Sequence, residues 1–136
     1  METRAILGLL ALSLFCRDAR ASDEAENNLH LINSDAATGF AIYRMGEPDA
    51  NDMKEMCKLG ITEIAVLAGS AASVEEKLKA HCPTLKVVYN VDQNAKVPLT
   101  EDFLNWFDSW VQEAQQQGKK IAFRCSCGCH RTGRLA

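Results

Sequence analysis

Hydrophobic and polar positions along this chain fall into short blocks whose period switches between that of a strand and that of a helix. Residues 39–44 (GFAIYR) read as a short strand, and 45–48 as a turn, with Pro48 poised to open a helix. Over 49–59, Met53, Met56 and Cys57 recur at helical spacing, and Gly60 supplies the stop. Residues 61–67 (ITEIAVL) are rich in β-branched side chains and predict a strand. Ser73 is expected to cap a helix through Ala80, with Glu75 and Glu76 in its first turn. A strand over 85–90 follows, then a helix over 100–117 that starts on Thr100 and stops at Gly118. Phe103, Phe107, Trp110 and Ala114 fall at i, i+4, i+7 and i+11, one apolar stripe suited to a core. Residues 119–124 (KKIAFR) read as a buried strand, whereas the polar stretch 22–28 is expected to fray. Strands alternating with helices predict an α/β fold, a central and mostly parallel sheet flanked by helices. No internal repeat or low-complexity segment interrupts it.

The N-terminus departs from this pattern. After Arg4, residues 5–15 are apolar except for Ser13, and Ala19 and Ala21 are small residues at the spacing a signal peptidase reads. The run is too short to cross a bilayer. A removed secretory peptide over 1–21 is therefore expected, with a buried N-terminal helix as the alternative, and residues 22–136 form one domain. The product would be exported, to a periplasm or beyond the cell, with no membrane attachment after cleavage. The chain carries 15 basic and 18 acidic side chains, a formal net charge of −3. With no basic run or aromatic–basic interleaving, nothing suggests a nucleic-acid partner. Any anion site must be local.

Such a site is written near the C-terminus. Cys125 and Arg131 bracket five residues, Ser126, Cys127, Gly128, Cys129 and His130, and Thr132 and Gly133 follow. Five residues suffice to wrap a backbone loop round a tetrahedral phosphate. The preceding strand and a helix beginning at Arg131 would add inward N–H groups and a helix N-terminus. Gly128 lets the backbone turn close to the ligand. Arg131 offers the planar fork that grips two phosphate oxygens. These surroundings favour a thiolate and lower a cysteine pKa from about 8.5 to roughly 3.5–7.5. A rival reading takes Cys125, Cys127, Cys129 and His130 as metal ligands. Structural zinc sites draw on two separated pairs, and Cys57 and Cys82 are remote in sequence, so no metal or other cofactor is expected.

This loop resembles that of the cysteine-dependent phosphatases of the protein tyrosine phosphatase superfamily, Cys-x-x-Gly-x-x-Arg-Ser/Thr-Gly. The stretch Tyr43-Arg-Met-Gly-Glu-Pro48 is also similar to the Tyr-Arg-Ser-x-x-Pro of small bacterial members, and the likeness covers roughly 39–136. The resemblance implies that Cys125 attacks phosphorus, that Arg131 and the loop from Ser126 to His130 hold the phosphoryl group, and that Thr132 hydrogen-bonds the sulfur and helps it leave. It also implies a general acid on a loop about thirty residues upstream. Asp92 lies there, after the 85–90 strand, with Glu101 and Asp102 as alternatives at the start of the next helix.

Two departures stand out. The family usually has His before the nucleophile, where this chain has Arg124, which either keeps the site positive or points outward from the strand end. Family domains also continue through further helices after the loop, so these residues are expected to be a fragment lacking C-terminal helices. Cys127 or Cys129 could form a reversible disulfide with Cys125. Cys57 and Cys82 are either a structural pair or two buried free thiols, the latter favoured on general grounds. His130 is either a substrate contact or a solvated loop side chain. The likeness is to the small dual-specificity members, and export tilts the expected substrate towards inositol polyphosphates, as in the tyrosine-phosphatase-like phytases, with a dual-specificity Tyr/Ser/Thr phosphatase acting on phosphoproteins as the alternative and a non-catalytic phosphate- or metal-binding module as the third reading.

Overall fold

The structure, a computed structural model, describes residues 28–94 and 96–126. The expected signal peptide, the polar stretch 22–27 and the whole of 127–136 lie outside the described residues. The elements are β1 (His30–Asp35), β2 (Phe40–Met45), α1 (Ala50–Leu59), β3 (Ile61–Val66), two 3-10 turns (Ala71–Ser73 and Lys79–His81), β4 (Lys86–Asn90), α2 (Glu101–Gln117) and β5 (Lys120–Arg124). The five strands form one sheet in the order β1-β2-β5-β3-β4. Only β1 runs antiparallel; β2, β5, β3 and β4 are parallel. The fold is the α/β arrangement that the alternating pattern predicts.

The strand order also explains which face each helix covers. From β2 to β3 the chain moves one way across the sheet, and from β4 to β5 it moves back. Right-handed crossovers then place the intervening helices on opposite faces. One core layer accordingly joins Met53 and Met56 of α1 to Met45, Ile64, Val66 and Ala122. The other joins Phe103, Trp110 and Ala114 of α2 to Phe40, Ile42, Ala65, Leu67, Ile121 and Phe123. The period-2 alternation is visible in β3 and β5, whose successive residues enter opposite layers.

Local chemistry sets the helix ends. Asp49 caps α1 in a reciprocal box: its Oδ1 accepts from the Asp52 N–H at 2.8 Å, and the Asp49 N–H donates to Asp52 Oδ2 at 3.0 Å. Pro48 thus sits just before the cap rather than inside the helix. Thr100 Oγ1 accepts from the Phe103 N–H at 3.3 Å to start α2. Along α2, Trp106 stacks between Tyr89 of β4 at 4.8 Å and Trp110 at 5.2 Å, while Phe107 meets Phe123 of β5 edge-on at 5.3 Å.

Two expectations are corrected, and one strand is new. The helix expected over 73–80 is absent; the β3–β4 crossover is two 3-10 turns joined by turns. Its sequence has adequate helix propensity, but Glu75 is drawn into the core and Cys82 is tied to α1, so tertiary contacts override propensity. Cys57 and Cys82, favoured as free thiols, are joined in a disulfide with Cα atoms 5.4 Å apart. The Thr84 hydroxyl lies 3.5 Å from the Cys57 sulfur and 3.7 Å from that of Cys82. Strand β1 was not anticipated, because all six of its residues are exposed and carry no alternation. It is an edge strand held by a tight connection to β2, where the Gly39 N–H donates to the Asp35 carbonyl at 2.8 Å.

Candidate active site

The carboxyl ends of the parallel strands form one edge, and the site residues leave from it. β5 lies at the centre, flanked by β2 and β3, and ends at Arg124 opposite Met45 and Val66. Cys125 therefore emerges at the middle of the edge, at the crevice where open α/β sheets bind ligands. It is fully buried, and Ser126 beside it is exposed. Two backbone bonds seat this junction. The Leu67 N–H donates to the Arg124 carbonyl at 2.8 Å, and the Glu47 N–H donates to the Ser126 carbonyl at 2.8 Å. The start of the loop is thus held from the end of β3 on one side and from the end of β2 on the other. Asn28 steadies the latter, accepting from the Gly46 N–H at 3.0 Å and donating to the Glu47 carbonyl at 3.2 Å.

Asp92 leaves the same edge two strands away. β3 separates β4 from β5, which sets their axes about 10 Å apart. The residue after it, Gln93, is buried and pinned twice. Its N–H donates to the Leu67 carbonyl at 2.8 Å, and its Nε2 donates to the Tyr89 hydroxyl at 2.6 Å. Leu67 therefore links both halves of the site, donating towards Arg124 and accepting from Gln93. Gly69 sits beneath Asp92 with φ +66°, and a Cβ there would lie 3.0 Å from the Asp92 nitrogen. Only glycine combines that backbone angle with that approach. Asp92 is exposed and opens onto a groove of about 500 Å³ lined by Tyr89, Val91, Val97, Phe103, Trp106 and Asp102, among others. Asp102 of α2 thus shares a groove with Asp92, but it also stands where an acidic side chain suits a helix start.

Arg124 fits neither expectation. Strand alternation points it, like Ala122, into the α1 layer, where it is fully buried. Its fork meets Glu75, which is also buried: Nε donates to Oε1, and an Nη donates to Oε2 at 2.6 Å. The other Nη leans on the Cys125 carbonyl at a longer 3.5 Å. Glu75 was missed because it read as an acid in the first turn of the helix expected over 73–80. The signal was available, since an arginine at an apolar strand position requires a buried carboxylate. Gln93 and Gly69 were missed too, and no pattern in one sequence marks them.

Cys127, Gly128, Cys129, His130, Arg131 and Thr132 lie outside the described residues, as do the rival metal ligands among them. Among the described residues no cluster of three or more His, Cys, Asp or Glu side chains could hold a metal ion. Nor is any described helix long and apolar enough to cross a membrane.

No protein-family model matches the chain, and no curated protein matches it by sequence. Its fold is similar to that of Tk-PTP in its active form, at 15% identity and a TM-score of 0.55, covering 69% of this chain and 63% of that one. It is also similar to TpbA of P. aeruginosa, a cysteine-to-serine variant in complex with phosphotyrosine, at 15% identity and a TM-score of 0.56, covering 82% and 67%. A second TpbA structure matches at 15% identity and a TM-score of 0.50, covering 80% and 66%. The likeness is one of fold, that of the protein tyrosine phosphatases. The chain spans about two thirds of the length of the solved structures it matches.

Proposed function

We propose that the chain is the main part of a metal-independent cysteine phosphatase that hydrolyses phosphate monoesters through a phosphocysteine intermediate. The observation that carries this reading is the placement of Cys125 at the end of the central strand, with Asp92 on the same edge two strands over. Cys125 attacks phosphorus. Arg131 and the N–H groups of Ser126 to His130 hold the equatorial oxygens and match their spread charge in the transition state. Asp92 protonates the leaving oxygen, then takes a proton from the water that cleaves the phosphocysteine, while Thr132 assists the departing sulfur.

The groove beside Asp92 favours an aromatic phosphomonoester over an inositol polyphosphate. Tyr89, Phe103 and Trp106 line it, and among the described residues its charged lining is the two carboxylates Asp92 and Asp102. A polyanion needs several positive contacts, whereas a phosphotyrosine ring gains from aromatic walls. The phosphotyrosine held by TpbA, a protein of similar fold, supports the same choice. An exported location is supported by the N-terminal apolar run and by the Cys57–Cys82 disulfide, since such bonds persist in oxidising compartments.

The test is phosphate release from a phosphotyrosine peptide and from inositol hexakisphosphate, in EDTA and mild reductant. Cys125→Ser should abolish release, and Asp92→Asn should lower kcat by about 10²–10³-fold with KM little changed. Faster turnover of the inositol phosphate would reverse the substrate assignment. Release that survives Cys125→Ser, or that EDTA removes, would sink the mechanism.

A further inference from the structure

Arg124 and Glu75 are the only charged side chains fully buried among the described residues. They meet in a two-pronged ion pair inside the layer that also holds Met45, Val66 and Ala122. The arginine is the residue immediately before Cys125, and the carboxylate comes from the crossover between β3 and β4. An uncompensated guanidinium in so dry a place would act strongly on a neighbouring thiol, because low dielectric magnifies charge. Glu75 answers it with both carboxylate oxygens, on two of the three guanidinium nitrogens.

We infer that Glu75 and Arg124 are a positioning pair for Cys125, fixing the strand-to-loop junction while cancelling each other's charge, so that the loop and Arg131 set the thiol's acidity. The inference rests on the phosphatase reading of Cys125. Two features support it beyond the pairing itself. The third arm of the guanidinium leans on the Cys125 carbonyl, so the pair touches the nucleophile's own backbone. The Arg124 carbonyl is held by Leu67, so the pair's anchor and the Asp92 loop share a residue. Other charged groups lie on the elements round this edge: Arg44 and Glu47 at the end of β2, Glu76 and Lys79 on the crossover, and Asp92 after β4. All of these are exposed or half-buried and therefore screened by water. His130 and Arg131 of the loop complete the set by sequence.

The experiment follows iodoacetamide alkylation of Cys125 against pH in the whole chain, with modification at Cys125 read by peptide mass and folding checked by circular dichroism. Glu75→Gln leaves a bare guanidinium and should lower the titration midpoint by about one pH unit; Arg124→Gln leaves a bare carboxylate and should raise it by about as much. Glu75→Gln combined with Arg124→Met removes both charges and should leave the midpoint within a few tenths of wild type. Should the single variants fail to fold, the double variant decides alone, since a buried pair replaced as a whole is tolerated. A rise of about one pH unit in the double variant would show that Arg124 acts on the thiol uncancelled, and would overturn the inference. Folded single variants that shift together, or not at all, would overturn it equally. A wild-type midpoint near 8.5, that of an ordinary thiol, would count against the phosphatase reading without touching the comparison between variants.

Discussion

The residue under Asp92 decides where that carboxylate stands. Gly69 has φ +66°, and an added Cβ would meet the Asp92 nitrogen at 3.0 Å and its Cβ at 3.3 Å. Alanine there must strain its own backbone, at about 1–2 kcal/mol, and also push the acid loop outward. If Asp92 is the general acid proposed above, Gly69→Ala should therefore lower kcat roughly ten- to a hundredfold, because small misplacements of such a group are costly. Gly60 provides the control. Its φ is +83°, but a Cβ would meet nothing nearer than the Lys120 side chain at 3.7 Å. Gly60→Ala should lose a similar stability and leave kcat unchanged. Steady-state kinetics beside thermal melts of both variants check the contrast; equal losses of kcat would show that Gly69 does not position Asp92. Sequence reading places Asp92 by its distance from Cys125, but it cannot see Gly69 or Gln93. Their roles depend on β3 lying between β4 and β5, which is a fact of strand order.

Elements whose apolar stripes face a layer are legible in sequence; those held by polar pairs are less so. The stripe of Phe103, Phe107, Trp110 and Ala114 predicts α2, and the structure buries Phe103, Trp110 and Ala114 and half-buries Phe107. The crossover between β3 and β4 instead takes its shape from Glu75 and Cys82, whose partners Arg124 and Cys57 are remote in sequence. β1 carries no pattern at all. A second polar tie joins α2 to the sheet: Trp110 Nε1 donates to Glu63 Oε1 at 2.8 Å, and Lys119 Nζ donates to Glu63 Oε2 at 3.0 Å. Partial burial works to raise the Glu63 pKa, but these hydrogen bonds and the nearby charges of Lys119 and Lys86 outweigh it, leaving a net lowering from the ordinary 4.5. A carboxyl more acidic in the folded than in the unfolded state contributes stability that is fully present above the unfolded value. That contribution fades as pH falls through the folded value. Glu63→Gln should cost about 1–2 kcal/mol at neutral pH and make stability less steep below pH 4.5. Urea denaturation from pH 7 downward reads this, and parallel curves for variant and wild type would refute it.

At the scale of the whole molecule, the two faces of the sheet are closed by different means. The α2 face is packed by a row of aromatic rings. The α1 face is covered by a ten-residue helix and a crossover without an α-helix, and it contains the buried ion pair. There the Cys57–Cys82 disulfide spans 25 residues and joins the helix to the crossover. Constraining a loop of that size in the unfolded chain is worth about 3 kcal/mol. Cys57→Ala combined with Cys82→Ala should lose about that much in chemical denaturation, with the slope against denaturant little changed. The proposed chemistry requires a reduced Cys125 in the same molecule whose fold relies on an oxidised pair. The two demands fall on different parts of the molecule: Cys82 is buried in the α1 layer with Cys57 half-buried against it, while the loop meets solvent at Ser126. Wild-type protein should therefore keep full stability in mild reductant and lose it only when strong reductant is added under partly denaturing conditions. The double alanine variant should be indifferent to either. A wild type that loses stability as soon as mild reductant is added would show that the bond is open to thiols, and that the two redox demands conflict.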